Sequence, residues 1–304
     1  MSTQRPPTID LPAARRWQEL PPVPSPWLHE EVARRMEERL AWIKRQPTAW
    51  THWAPVNGGL QAHELLNRRY PQALCHLTET TPLRADYAGH VLRKPWWRPS
   101  RWTAGANRVG VAPGGSAELL WANMTLHMAA DPQALIAQWH EALAVDGFLM
   151  FSCLGPDTLT QLRELYRQLG WPPPAHEFTD MHDWGDMLVA AGFAEPVMDM
   201  ERISLTFQTP ERLLQELRGL GRNLHPARFG GLRGRGWRNQ LVAALAAAPL
   251  QLDFEVIYGH AFKPRPKLTL RSETVLSLAQ MREALRDGKS RLPDHGPTGP
   301  ATPG

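Results

Sequence analysis

The segment THWAPVNGGL, Thr51–Leu60, sits where an apolar run gives way to a helical pattern at Leu60, Leu65 and Leu66. A turn at such a junction is the usual place to bind a phosphate or a nucleotide. Ala54, Pro55 and Val56 stand where such loops carry glycine, and Gly58 and Gly59 are the glycines that remain. Glu79, in HLTETTP, follows a second strand-like run. A carboxylate there reads either as an acceptor for a ligand's hydrogen-bond donors or as an ordinary exposed glutamate at a strand end. In WANMTLHM, Asn123 reads either as a ligand hydrogen-bonder or as a turn cap, and His127 as a crevice residue or as a packed histidine with one structural hydrogen bond. His182 and Asp183 in MHDW have the look of an acid–base pair, but Asp180 or Asp183 is better read as a helix cap. Residues 212–238 carry seven arginines together with Phe229 and Trp237. Solvated charge, docking of an acidic protein and nucleic-acid binding all compete there. No His, Cys or Asp pair has metal-ligand spacing, and no Ser-His-Asp logic emerges.

The elements that must position these residues alternate. Residues 28–46 form a helix with an apolar stripe at Leu28, Val32, Met36, Leu40 and Ile43, stopped at Pro47. Ala49–Ala54, 73–79, 117–123 and 147–155 read as strands, with helices over Leu60–Tyr70, Pro82–Leu92 and Pro132–Leu143. Asp157 is the expected cap of a helix running to Leu169. Residues 94–116, with three of the thirteen tryptophans, are an irregular insertion expected to cover a sheet edge. A short helix over 180–193 precedes a long strand over 196–207, a helical stretch over 210–247 and a last strand over 250–264. Strand–helix alternation followed by two late strands predicts a doubly wound, mostly parallel α/β sheet with an antiparallel last strand pair. Residues 1–27 are Pro-rich and expected as an extended flexible arm; 265–304 is expected as a mostly disordered tail with a weak helix over Glu273–Arg286.

Composition narrows the classes. The chain of 304 residues suits one large domain with appendages, and no run is long enough to span a bilayer. The N-terminal MSTQRPPTIDLPAARRW lacks an apolar signal core. Two distant cysteines, Cys75 and Cys153, read as reduced thiols of a cytoplasmic protein. A net charge of +4 fits an acidic partner without demanding one.

Three longer stretches carry a more particular signal: LLWANMTLHMAADPQALIAQWHEALAVDGFLMFSCLGPDTL, FTDMHDWGDMLVAAGFAEPVMDMERISLTF and LLQELRGLGRNL, with FEVIYGHAFKP at the end. Through them the chain resembles the class I S-adenosylmethionine-dependent methyltransferases, and within these the malonyl-[acyl-carrier protein] O-methyltransferases of biotin synthesis. The similarity is strong over roughly 118–264 and thin before it. It implies a seven-stranded Rossmann-like domain over 28–264, with a helical lid insertion at about 208–248. It implies S-adenosylmethionine as cofactor, held by Asn57, Gly58, Glu79 and Asn123, and a malonyl acceptor gripped by Arg222, His225 and Arg228. It implies an acidic acyl-carrier protein as partner, with no nucleic acid and no membrane. The family's first motif, Asp-x-Gly-x-Gly-x-Gly, falls on His52, Ala54, Val56 and Gly58, so His52 brings no anion and Val56 is expected to crowd the cofactor. The acid expected near an adenine, in NRVGVAPGGS, is missing. No catalytic residue is assigned, because the acceptor carboxylate is already ionised at neutral pH. A catalytically inactive relative that binds a protein partner is the alternative this sequence leaves open.

Overall fold

The structure is a computed structural model and describes residues 9–93 and 106–266. The Trp-rich stretch 94–105 and the expected tail helix over Glu273–Arg286 lie outside the described residues. The strands are β1 (Ala49–Trp53), β2 (Leu74–Thr78), β3 (Asn107–Val109), β4 (Ala117–Ala122), β5 (Leu143–Leu154), β6 (Ala194–Thr206) and β7 (Gln251–Phe262). They form one sheet in the order β3-β2-β1-β4-β5-β7-β6. The first five strands pair in parallel, and β7 runs antiparallel between β5 and β6. The doubly wound, mostly parallel sheet with a late antiparallel pair is the expected one. Strand order reverses between β1 and β4, and ligands of such sheets bind beyond the carboxyl ends of the strands at that point.

Both faces of the sheet are covered, which is why β4 and β5 read as near-continuous apolar runs. On one face Leu28, Val32 and Met36 of α2 (Trp27–Arg39), with Leu66 of the helix Leu60–Arg69, pack on Trp50, Trp121 and Met150. On the other face Ile136 and Trp139 of the helix Pro132–Ala142, with Trp184 and Leu188 of the helix Met181–Ala190, pack on Leu120, Leu149 and Phe151. Strand alternation sends Trp121 one way and Leu120 the other.

Several expectations are corrected. The N-terminal arm contains a helix, α1 (Leu11–Gln18). Asp10 caps it by accepting from the Ala13 N–H at 2.8 Å, and Pro12 sits in the first turn, where its missing N–H costs nothing. Ile9 and Ala14 bury against Met128 and Leu224. The insertion holds β3, a short edge strand paired with β2. Asp157 does not cap its helix. Leu159, at φ 60°, precedes Thr160–Gln168, and the Asp157 carboxylate pairs with Arg202 at 3.1 Å. The stretch over 210–247 is two helices, α9 (Pro210–Leu220) and α10 (Arg235–Ala246), the ninth and tenth α-helices among the described residues, with an irregular link that holds Arg222, His225 and Arg228.

Candidate active site

The turn after β1 keeps the conformation that glycine normally serves, although its glycine is gone. Ala54 adopts φ 50°, ψ 51°, a left-handed geometry in which a Cβ costs about 1–2 kcal/mol. The Ala54 N–H donates to the Thr78 carbonyl at 2.7 Å, and its own carbonyl accepts from the Gly58 N–H at 2.9 Å. Pro55–Gly58 is one helical turn, and the helix Leu60–Arg69 follows. Gly59, at φ 118°, joins the two, and a Cβ on it would lie 2.8 Å from a Glu30 carboxylate oxygen. Gly58 is required by close approach: a Cβ there would meet the Asn123 carbonyl at 2.7 Å.

A cavity of about 460 Å³ opens beyond this turn, lined among others by Trp17, Gln18, Ala54, Asn57, Glu79 and Met128. Glu79 directly follows β2 and lies in the cavity wall. Its Oε1 accepts from the Val56 N–H at 2.7 Å, and its Oε2 is buried with no partner. Burial pushes the carboxyl up to about 7, while the Val56 N–H and the nearby Arg84 charge pull the other way. The orphaned oxygen at this point suits the hydroxyl donors of a ribose. Asn57 also lines the cavity, and its Oδ1 accepts from Arg84 Nη1 at 2.6 Å. Its carbonyl lies 2.7 Å from Nδ1 of His29, which donates.

Three first-motif and crevice residues are placed differently from expectation. Val56 is buried and does not line the cavity, because the single helical turn points its side chain into the protein. His52 lies on the same face as Trp50, stacked on Trp50 and His63, and burial holds its imidazole well below the ordinary range. Asn123 is fully buried and its amide is committed within the protein. Nδ2 donates to the carbonyls of His29 (2.8 Å) and Gly58, and Oδ1 accepts from Ser152 Oγ at 2.6 Å. It brackets α2, the turn and β5 together rather than facing a ligand.

A second, smaller cavity of about 110 Å³ adjoins the first, and Met128 lines both. His127, His176, Phe178, Leu217 and Arg222 are among its walls. Of the three acyl-gripping candidates, only Arg222 is at this cavity, and it is exposed, with Nη1 donating to the carbonyls of Arg218 (2.6 Å) and Gly221 (2.9 Å). His225 shapes its own turn, its Nδ1 accepting from the Ala227 N–H at 2.9 Å. Arg228 is ion-paired with Asp10 at 2.5 Å, which ties the lid to α1. Asp180 caps its helix by accepting from the His182 N–H at 2.8 Å, and no group of His, Cys, Asp or Glu among the described residues could hold a metal.

Sequence reasoning missed α1 and Arg84. Arg84 is buried; it donates to Asn57 and to the carbonyls of Gln18 (3.1 Å) and Trp17 (3.5 Å), clamping α1 beside the cavity. Its signal was slight, a lone arginine one turn into a Thr81-capped helix. The Pro12 and Asp10 pattern was the readable sign of α1.

Comparison with known proteins bears on this geometry. No family model matches the chain. The malonyl-[acyl-carrier protein] O-methyltransferase of Gallionella capsiferriformans is 35% identical over 265 residues, covering 79% of this chain and 86% of the relative. That of Laribacter hongkongensis is 36% identical over 257 residues, covering 80% and 86%. The chain belongs to the malonyl-[acyl-carrier protein] O-methyltransferase family. Among solved structures, the YcgJ protein of Bacillus subtilis superposes with a TM-score of 0.51 at 13% identity, covering 78% of this chain and 99% of that one. This likeness shows the fold alone, that of the class I methyltransferases. Among the described residues, no helix is long and apolar enough to cross a membrane.

Proposed function

We propose that the protein transfers the methyl group of S-adenosylmethionine to the free carboxylate of a malonyl group carried as a thioester on an acyl-carrier protein, in biotin precursor synthesis. The observation that carries this reading is the pair of adjoining cavities. One is walled by Glu79 with its orphaned Oε2, the other is small and mostly apolar, and Met128 stands between them. The names of the relatives agree with a malonyl acceptor. Glu79 and Asn57 are the residues that hold the cofactor, with Trp17 and Gln18 of α1 beside them.

When bound, the sulfonium cofactor supplies an electrophilic methyl group. The chain's own contribution is positional. Glu79 fixes the ribose end, while Met128, Leu217 and Phe178 keep water from the acceptor. No general base is needed, since a carboxylic acid with a reference pKa of about 4 is already ionised. The exposed arginines of the lid are the docking surface for the acidic carrier protein. Incubation of the protein with S-adenosylmethionine and malonyl-carrier protein, followed by intact-mass spectrometry of the carrier, tests the reading. A carrier one methyl group heavier supports it; an unchanged carrier at high enzyme and cofactor concentration rejects it.

A further inference from the structure

The smaller cavity has few groups able to hold an anionic acceptor. Arg222 is exposed and its Nη1 donates to the carbonyls of Arg218 and Gly221, and Arg228 is taken by Asp10. The Asn223 Nδ2 donates to the Pro173 carbonyl at 2.7 Å. His176 places Nε2 at 2.9 Å from the His127 carbonyl. A carbonyl only accepts, so Nε2 of His176 carries the proton and is spent there, while its Nδ1 is sealed away from the cavity and has no proton to offer.

His127 has the opposite polarity. The Leu154 N–H lies 3.4 Å from its Nδ1. A backbone N–H only donates, so Nδ1 is the acceptor and the ring proton sits on Nε2. Nε2 makes no hydrogen bond with any described residue, and it is not among the sealed polar atoms, so the cavity reaches it. The ring is fixed in place. Phe178 meets it edge-on at 5.7 Å, and His176 holds its backbone carbonyl. Burial and the neighbouring His176 and His29 keep the imidazole well below its ordinary range, so it stays neutral.

We propose that the Nε2–H of His127 is a substrate-binding donor that holds a carboxylate oxygen of the acyl acceptor, beside the Met128 wall shared with the cofactor cavity. This rests on the reading that the smaller cavity takes that acceptor. The chemistry favours such a donor. A neutral N–H orients the carboxylate without the tight ion pair that would blunt the attacking oxygen.

His127→Leu removes the donor, and His127→Gln offers a neutral amide N–H in its place. With malonyl-carrier protein as substrate, the leucine variant is expected to lose about 10- to 100-fold in kcat/KM, the effect of one hydrogen bond to a charged group, while calorimetry shows its S-adenosylmethionine affinity unchanged. The glutamine variant is expected to recover most of that loss. Independently of any variant, ¹⁵N NMR of the wild-type protein without cofactor should find the His127 proton on Nε2, and a malonyl thioester of a small thiol should shift that signal. A leucine variant as active as wild type, a proton on Nδ1, or an Nε2 signal indifferent to the thioester would overturn the assignment. If wild type methylates no malonyl-carrier protein yet Nε2 responds to the thioester, the proposed reaction fails and the role of His127 as a carboxylate donor stands.

Discussion

At Glu79 one carboxylate oxygen is spent on the Val56 N–H and the other is buried without a partner, so ionisation is costly and the carboxyl is pushed up to about 7. A folded-state value raised above the unfolded one means that the group's contribution to stability is fully present below pH 4.5 and is lost as pH rises through 7. Glu79→Gln should therefore stabilise the protein at pH 8 relative to pH 4.5 by roughly 2–3 kcal/mol, read by urea denaturation at the two values. Cofactor binding runs the other way. Ribose hydroxyls donate to the ionised form, so S-adenosylmethionine affinity should rise between pH 6 and pH 7 and level off above. Calorimetry on the Glu79→Gln variant should show that slope gone and binding weaker by about 10- to 100-fold. A pH-independent affinity in the wild type would remove Glu79 from the cofactor site. The turn offers a sharper contrast. Ala54→Gly removes a Cβ from a left-handed residue facing the cavity, so it should stabilise by about 1 kcal/mol and bind the cofactor more tightly. Val56→Gly should only destabilise, because Val56 is buried outside the cavity.

At the scale of elements, α1 is held to the rest of the molecule by few groups, and Arg84 is one of them. Its guanidinium serves Asn57 Oδ1 and two carbonyls at the end of α1. Arg84→Ala takes the donor from Asn57 Oδ1 and the Gln18 carbonyl, while the Trp17 carbonyl keeps the Leu20 N–H at 3.3 Å, and Arg84→Lys keeps the charge but cannot span the same fork. Both variants should lose amide-exchange protection over 11–18 while β4 and β5 keep theirs, and both should bind S-adenosylmethionine about tenfold more weakly. Retained protection in α1 would show that the packing of Ile9, Ala14 and Leu224, with the Asp10–Arg228 ion pair, holds it without Arg84. The way these elements could be read in advance differs with their physics. The sheet was legible because β4 and β5 are covered on both faces and so are apolar over most of their length, and the helix over Leu60–Arg69 because its buried face repeats every turn. β3 was not, because an edge strand of three residues has no period to detect. The Asp157 cap failed because its carboxylate found Arg202, a partner from β6 that adjacent sequence does not reveal. At the site, Glu79 could be found from its place after a strand. Asn123 pointed to the right crevice but to a structural task, since His29, Gly58 and Ser152 come from distant parts of the chain. Met128 and His176 carried no local signal at all.

For the whole molecule, the lid arginines matter through where their charge is left free. Arg212 pairs with Glu216, Arg228 with Asp10, and Arg233 lies over the rings of Phe229 and Trp237. Arg218, Arg222, Arg235 and Arg238 remain exposed and form no ion pair among the described residues. With an overall charge of only +4, this local excess is what an acidic carrier protein would sense at a distance. Such attraction acts on encounter more than on the bound state and is screened over about 10 Å at 0.1 M salt. Arg222 is a poor probe, because it also lines the smaller cavity. Arg218→Glu combined with Arg238→Glu separates docking from chemistry. At low salt the double variant should lose about tenfold in kcat/KM for malonyl-carrier protein, chiefly through a slower on-rate, and the deficit should shrink as salt rises through the screening range. A malonyl thioester of a small thiol carries no acidic protein, so the same variant should turn it over at the wild-type rate. Equal losses on both substrates would place the damage in the acceptor cavity instead, and no loss on either would leave the exposed arginines as solvated charge.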